Sequence, residues 1–149
     1  ADFHYRNEPQ ARDEIDKDGL IGLGDIGYLD EDGFLFVCDR KSDLVISGGV
    51  NIYPAEIEHQ LLQYEGIADC AVIGIPDAEF GESLLAFVQP QAGHTLDTPA
   101  ISAWLQTRLA RFKIPRQFVV DPALPRDDSG KIYKRLLRDQ YWSGHSRKV

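Results

Sequence analysis

Two short stretches carry residues whose types and spacing suit chemistry. One is Leu124-Pro-Arg-Asp-Asp-Ser-Gly-Lys131, which reads as a flexible polar loop presenting a lysine beside a glycine. A mobile ammonium can be delivered to negative charge developing on a carboxylate or a phosphate. Taken alone, the stretch suits a solvated surface lysine better. The other is Ser47-Gly48-Gly49, between a short β-branched run and the proline of a helix start. Paired glycines permit backbone conformations closed to other residues and let a ligand approach the main chain. Taken alone, it suits an ordinary turn between strand and helix somewhat better.

Other constellations do not hold. Gly22-Leu-Gly24-Asp-Ile-Gly27 matches the dinucleotide fingerprint by letter, but polar chain precedes it and a hairpin follows, not a strand and then a helix. Asp30-Glu-Asp32-Gly33 resembles part of a calcium loop, with Tyr28 where the first ligand would stand. Ser129-Gly130-Lys131 matches the end of a P-loop, with Pro125 where glycine is required. His4, His59, His94 and His145 show no metal-ligand spacing, so no metal site is expected.

Composition narrows the classes. The 149 residues suit one domain, or one small domain with a piece of another. The net charge of −8 argues against nucleic-acid binding, which depends on neutralising phosphates. That charge is unevenly spread: residues 1–107 carry −15 and residues 108–149 carry +7. The basic final third suits phosphates of a small ligand, or simply solvated helix faces. Cys38 and Cys70 lie in apolar runs and read as buried free thiols of a reducing compartment. No apolar run approaches the ~18 residues of a membrane helix and no leader is visible, so the cytoplasm is the expected location. Met is absent, so a fragment of a longer protein is expected.

The elements that must position these loops follow from pattern. Residues 10–15 read as a short surface helix after a turn at Pro9. Runs at 26–29 and 34–39, parted by Asp30-Glu-Asp-Gly33, read as a hairpin. Residues 44–47 read as a strand. Pro54 opens a helix with Ile57, Leu61 and Tyr64 on one stripe, ended by Gly66. Residues 70–75 and 84–88 are continuous apolar runs suited to strands covered on both faces. Thr98 and Pro99 open a second helix with Ile101, Trp104, Leu105 and Leu109 inward. A strand at 118–120 and a last helix carrying Leu136, Leu137 and Tyr141 complete the order. The fold class expected is α+β: a small domain with a roughly three-stranded sheet packed by helices, preceded by a separate β-hairpin segment.

Taken together, the motifs resemble the adenylate-forming acyl-CoA synthetases, in the superfamily of luciferases and peptide-synthetase adenylation domains. The anchors are Gly24-Asp-Ile-Gly-Tyr-Leu-Asp-Glu-Asp-Gly33, Asp39-Arg-Lys-Ser-Asp43, Ile46-Ser-Gly-Gly-Val-Asn-Ile-Tyr-Pro-Ala-Glu-Ile-Glu58, Phe112-Lys-Ile-Pro-Arg116 and the loop through Lys131 into Ile-Tyr-Lys-Arg-Leu-Leu-Arg138. The resemblance implies residues 1–41 as the end of a large N-terminal domain, 42–142 as a mobile C-terminal domain and 143–149 as a loose tail. It implies an AMP-forming ligase that activates a carboxylic acid, a fatty acid by expectation, with ATP and Mg2+. The acyl group then passes to CoA after the small domain rotates. Partners implied are the acid, ATP, CoA and the missing N-terminal domain, with no nucleic acid and no integral membrane segment. Lys131 matches the lysine of adenylation, Asp25 and Arg40 the residues at the ribose, and Ser42 the hinge. Ser47, Gly48 and Gly49 match the loop that closes on the pantetheine channel. Arg111, Lys113 and Arg116 are candidates for CoA phosphates from charge alone.

Leu23 stands where the family usually has Thr, and Ser42 where the hinge is often Asp or Lys. Ser-Gly-Gly-Val-Asn-Ile-Tyr-Pro suits the acyl-CoA type, since peptide-synthetase domains usually carry a basic Arg-Gly stretch there. The alternatives are a stand-alone binding or regulatory module, and an adenylate-forming enzyme with another acyl acceptor. The chain alone is expected to be inactive, since it lacks a phosphate loop and an acyl pocket.

Overall fold

A computed structural model describes residues 16–17 and 20–145. The helix expected at 10–15 and the last four residues of the tail lie outside them. The chain divides into two compact units, residues 1–42 and 43–149.

In the first unit, β1 (Asp16–Lys17) pairs with β2 (Leu20–Ile21), and β3 (Asp25–Leu29) pairs antiparallel with β4 (Leu35–Arg40). The Asp30 side chain accepts from the N–H groups of Asp32 and Phe34 and fixes the turn, as Asp does at the first position of a tight turn.

The second unit is built on one long hairpin, β7 (Ile67–Asp77) with β8 (Gly81–Pro90). On the free side of β8 lie β5 (Val45–Ser47), paired antiparallel near Gly81, and β9 (Gln117–Val120), paired parallel along Leu85–Val88. β6 (Val50–Ile52) pairs outside β5. The unit is thus α+β as expected, with a sheet of five strands where roughly three were expected. One of the added strands is β6, three residues between the glycine pair and Pro54.

Side-chain alternation divides the core. Cys70, Val72, Leu84, Ala86 and Val88 face one side, against Ile57 and Leu61 of α1 (Pro54–Leu61) and Ile101 and Leu105 of α2 (Thr98–Gln106). Ala71, Ile73, Ile75, Leu85 and Phe87 face the other, against Leu137 and Tyr141 of α3 (Lys134–Trp142). Both faces are covered, so each strand reads as an unbroken apolar run. Each of the helix residues Ile57, Leu61, Ile101 and Leu105 is fully buried, about 1.5–3 kcal/mol apiece. α1 stops at Leu61, a turn short of Gly66. Of the last helix's apolar residues, Leu137 is buried and Leu136 half exposed.

The outer edge of β7 meets side chains. The Val72 N–H donates to the Glu58 carboxylate at 2.6 Å, the Cys70 N–H to Asp69 at 2.9 Å, and the Trp142 indole donates to the Gly74 carbonyl at 2.9 Å. Gly74 is glycine for space: a Cβ there would collide with the buried Glu82 carboxylate and press on Val45. Gly74→Ala is expected to lower stability by about 1–3 kcal/mol, read as a drop in denaturant midpoint at constant slope.

Among the described residues no helix is long and apolar enough to cross a membrane.

Candidate functional site

Ser47-Gly48-Gly49-Val50 is a two-residue hairpin turn joining β5 to β6, with Ser47 opposite Val50. Gly48 and Gly49 have φ of 57° and 80°, the pair of positive values that the favoured hairpin turn requires. The turn therefore joins two strands, not the strand and helix expected. The Gly48 N–H donates to the Phe80 carbonyl at 2.9 Å, which seats the turn on the β7–β8 end. Nothing lies within 4 Å of where a Gly49 Cβ would stand, so that side of the turn faces open space.

Beside the turn is a groove of about 980 Å³, lined by Gly48, Phe80, Gln106, Arg111, Phe112 and Arg116 among others. Arg116 lies over the Phe80 ring at 4.6 Å and pairs with Asp77 at 3.3 Å. The N–H groups of Phe80 and then Glu79, with Arg116 beyond them, hold the Asp77 carboxyl below the usual carboxylate range. Of the three basic candidates, Arg111 and Arg116 reach this groove. Lys113 does not join them: its ammonium is held by Glu56 at 2.6 Å.

Lys131 ends a second, separate turn that is held by several hydrogen bonds. The Asp127 carboxylate accepts from the N–H and hydroxyl of Ser129 and from the N–H of Lys131 at 2.7–3.0 Å. The Asp127 N–H donates back to the Lys131 carbonyl at 2.9 Å. Arg126 anchors the whole: one guanidinium nitrogen donates to the Gly130 carbonyl at 2.9 Å, the other to Asp69 at 2.7 Å. The Ser129 hydroxyl chiefly holds Asp127 below the usual carboxylate range. A depressed carboxyl keeps its contribution above the ordinary value and loses it as pH falls through the lowered one. The turn therefore stays capped at neutral pH and loosens only in acid. The Lys131 side chain is exposed and makes no ion pair among the described residues.

The two turns lie at opposite ends of the β7–β8 ladder. The Gly48 turn sits by Phe80, where Asp77 faces Gly81, while Arg126 ties the Lys131 turn to Asp69 and Gln89, which face each other at the far end. Eight residue steps of strand from Asp69 to Asp77 make that separation about 26 Å.

In the first unit, Asp25 and Arg40 are cross-strand partners, with their charges 3.3 Å apart. Both are substantially exposed, and the Lys41 N–H donates to the Gly24 carbonyl beside them. Ser42 is the last residue of that unit, inside a short 3-10 turn. Cys70 is buried, and burial, then Glu58 and Asp69, push its thiol up to about 12, away from the reactive thiolate. Sequence reasoning missed Phe80 and Phe112 at the groove, and Arg126 and Asp127 at the lysine turn. Phe112 sat inside a quoted motif, whereas Phe80 was a lone aromatic in a loop.

An α+β unit that presents a glycine turn from one end of its sheet and a lysine turn from the other defines the class to which comparison assigns it. The chain belongs to the AMP-binding enzyme C-terminal domain family, whose model matches residues 56–131. It is 45% identical over 137 residues to the 2-succinylbenzoate–CoA ligase of Listeria monocytogenes serotype 4b (strain F2365), covering 92% of this chain and 29% of that protein. It is 39% identical over 141 residues to the long-chain-fatty-acid–CoA ligase of Bacillus subtilis (strain 168), covering 95% of this chain and 25% of that protein. Among solved structures it matches the o-succinylbenzoate CoA synthetase of Bacillus subtilis in complex with its acyl-adenylate intermediate. That match has a TM-score of 0.82 and 39% identity, over 91% of this chain and 28% of that one. The chain thus spans less than a third of the length of these relatives.

Proposed function

We propose that the chain is the mobile C-terminal part, with the end of the large domain, of a cytoplasmic acyl-CoA synthetase. Residues 1–41 then belong to the large domain and 42–142 to the part that turns about Ser42. In the first half-reaction a carboxylate oxygen attacks the α-phosphorus of ATP, and the bond to pyrophosphate breaks to leave acyl-AMP. Mg2+ enters with the triphosphate as part of the substrate. In the second, the CoA sulfur, having lost its proton, attacks the acyl carbonyl carbon. The bond to AMP breaks, and acyl-CoA and AMP leave.

The observation that carries this reading is the placement of the two turns at opposite ends of one sheet, about 26 Å apart. Such turns reach one reaction centre only in succession, by rotation of the unit that bears them. Lys131 serves the first half-reaction by placing its ammonium on the charge that builds between carboxylate and phosphate. Ser47, Gly48 and Gly49 serve the second by letting the pantetheine arm pass against bare backbone. Asp25 accepts from the ribose hydroxyls, with Arg40 beside it. Arg111 and Arg116, in the groove beside the glycine turn, take the CoA phosphates. The proposed acid is a fatty acid, a reading supported by the long-chain ligase among the relatives.

The test is a screen of fatty and aromatic acids with the full-length protein. Pyrophosphate and acyl-AMP should appear only with acid and ATP, and AMP and an acyl thioester only when CoA is added as well. Release of ADP instead, or no nucleotide turnover with any acid, overturns the reading. Thioester on a carrier protein but not on CoA would replace the acceptor. The 149-residue chain alone should form no acyl-CoA.

Neutralising Arg111 and Arg116 to Gln should raise the KM for CoA about tenfold and leave adenylation unchanged, because exposed charge-assisted contacts contribute modestly. Lys113→Gln should do much less, its charge being committed to Glu56. An unaltered CoA KM in the double variant would remove the arginines from the phosphate site.

A further inference from the structure

Four charged side chains lie together where the second unit begins. Asp43, the first residue of that unit, accepts from Arg138 at 3.0 Å and lies 3.8 Å from the Lys134 ammonium. Lys134 reaches both Glu58 oxygens at 2.8–2.9 Å, and Glu58 also accepts the Val72 N–H at 2.6 Å. All four side chains are only 14–18% exposed. Two acids and two bases balance in charge, and each ion has a partner of opposite sign, as burial requires.

The elements joined are specific. Asp43 follows Ser42 directly. Lys134 and Arg138 belong to α3, which begins three residues after Lys131. Glu58 belongs to α1, which follows the Gly48 hairpin through β6, and through Val72 it grips β7 between the two ends of the ladder. The unit's entry point is thereby bound to the helix behind the lysine turn and to the helix and strand behind the glycine turn.

We infer that the Asp43–Arg138–Lys134–Glu58 cluster is the mount that makes the second unit turn as one body, so that both turns arrive where the pivot sends them. These are positioning residues; none touches a reacting group. The geometry sets the demand on stiffness. Across the roughly 26 Å that separates the two turns, a bend of about 3° shifts one relative to the other by more than about 1 Å. Misplacement of that order can cost about 10²-fold in rate. The catalytic part of this inference rests on the proposed function; the mechanical part does not.

The test uses the full-length protein with Cys38→Ser, and spin labels at Asp32→Cys and Glu65→Cys, exposed positions one in each unit. Distance distributions are recorded for wild type, Arg138→Gln and Arg138→Lys. Arg138→Gln should broaden the distribution at least twofold while circular dichroism stays native, and Arg138→Lys should keep it narrow. Single-turnover rates of adenylation, and of thioester formation from preformed acyl-adenylate, should fall together by about tenfold in Arg138→Gln, with the KM for ATP and acid unchanged. A distribution in Arg138→Gln as narrow as wild type overturns the mount, as does loss confined to one half-reaction. If Arg138→Gln unfolds, Lys134→Met is read by the same criteria. A full-length protein inert toward every acid would sink the proposed function, yet the distance distributions would still decide the mount.

Discussion

Replacing Lys131 by Ala in the full-length protein should slow acyl-adenylate formation by about 10²–10³-fold, the usual cost of removing one preorganised donor to a developing oxyanion. Thioester formation from preformed acyl-adenylate should stay within about twofold. The asymmetry follows from position. Lys131 stands at the Asp69 end of the sheet, and the second half-reaction is assigned to the Phe80 end. Its turn is preorganised by Asp127 and Arg126, so truncating the side chain leaves the backbone in place. Single-turnover measurement of each half-reaction decides the matter, and equal loss in both would show that the lysine is structural or serves elsewhere. Lys131→Arg should recover little, because a planar fork does not reproduce a compact point charge.

Gly49→Leu should give the mirror image: acyl-adenylate accumulates and its transfer to CoA falls by about 10²-fold or more. Two causes add. A side chain at φ 80° is strained, at about 1–2 kcal/mol for that hand of backbone. The new atoms also fill the open space beside the turn, where the pantetheine arm is proposed to pass. The small domain itself has room for a Cβ there, so folding should survive and the defect should be chemical. Quench-flow detection of trapped acyl-AMP is the measurement. Wild-type thioester formation in Gly49→Leu would take the channel away from this turn.

The fold was legible where periodicity is strong. Residues 70–75 and 84–88 announced two-sided burial, and the helices at Pro54 and Pro99 carried proline near their starts with inward stripes. What pattern could not show was pairing. β7 and β8 run on through Asp77 and Glu82 because the ladder continues there, whatever the side chains. β6 is three residues long and is a strand only because β5 folds back onto it. The candidate site divides the same way. Lys131 and the glycine pair could be named from local motifs. Arg126 could not, since its partner Asp69 lies 57 residues away, and Lys113 looked available because Glu56 is just as distant. Charge is written in the sequence, but whether it is already committed depends on tertiary neighbours.

The treatment of the β7 edge bears on whether the sheet can accept a further strand. A long border strand with bare amide groups is a template for another chain. Here Glu58, Asp69 and Trp142 occupy three of the groups that a docking strand would need. Pairing there would first require displacing a carboxylate and an indole from bonds of 2.6–2.9 Å. The border is thus insulated against recruitment by neighbouring copies.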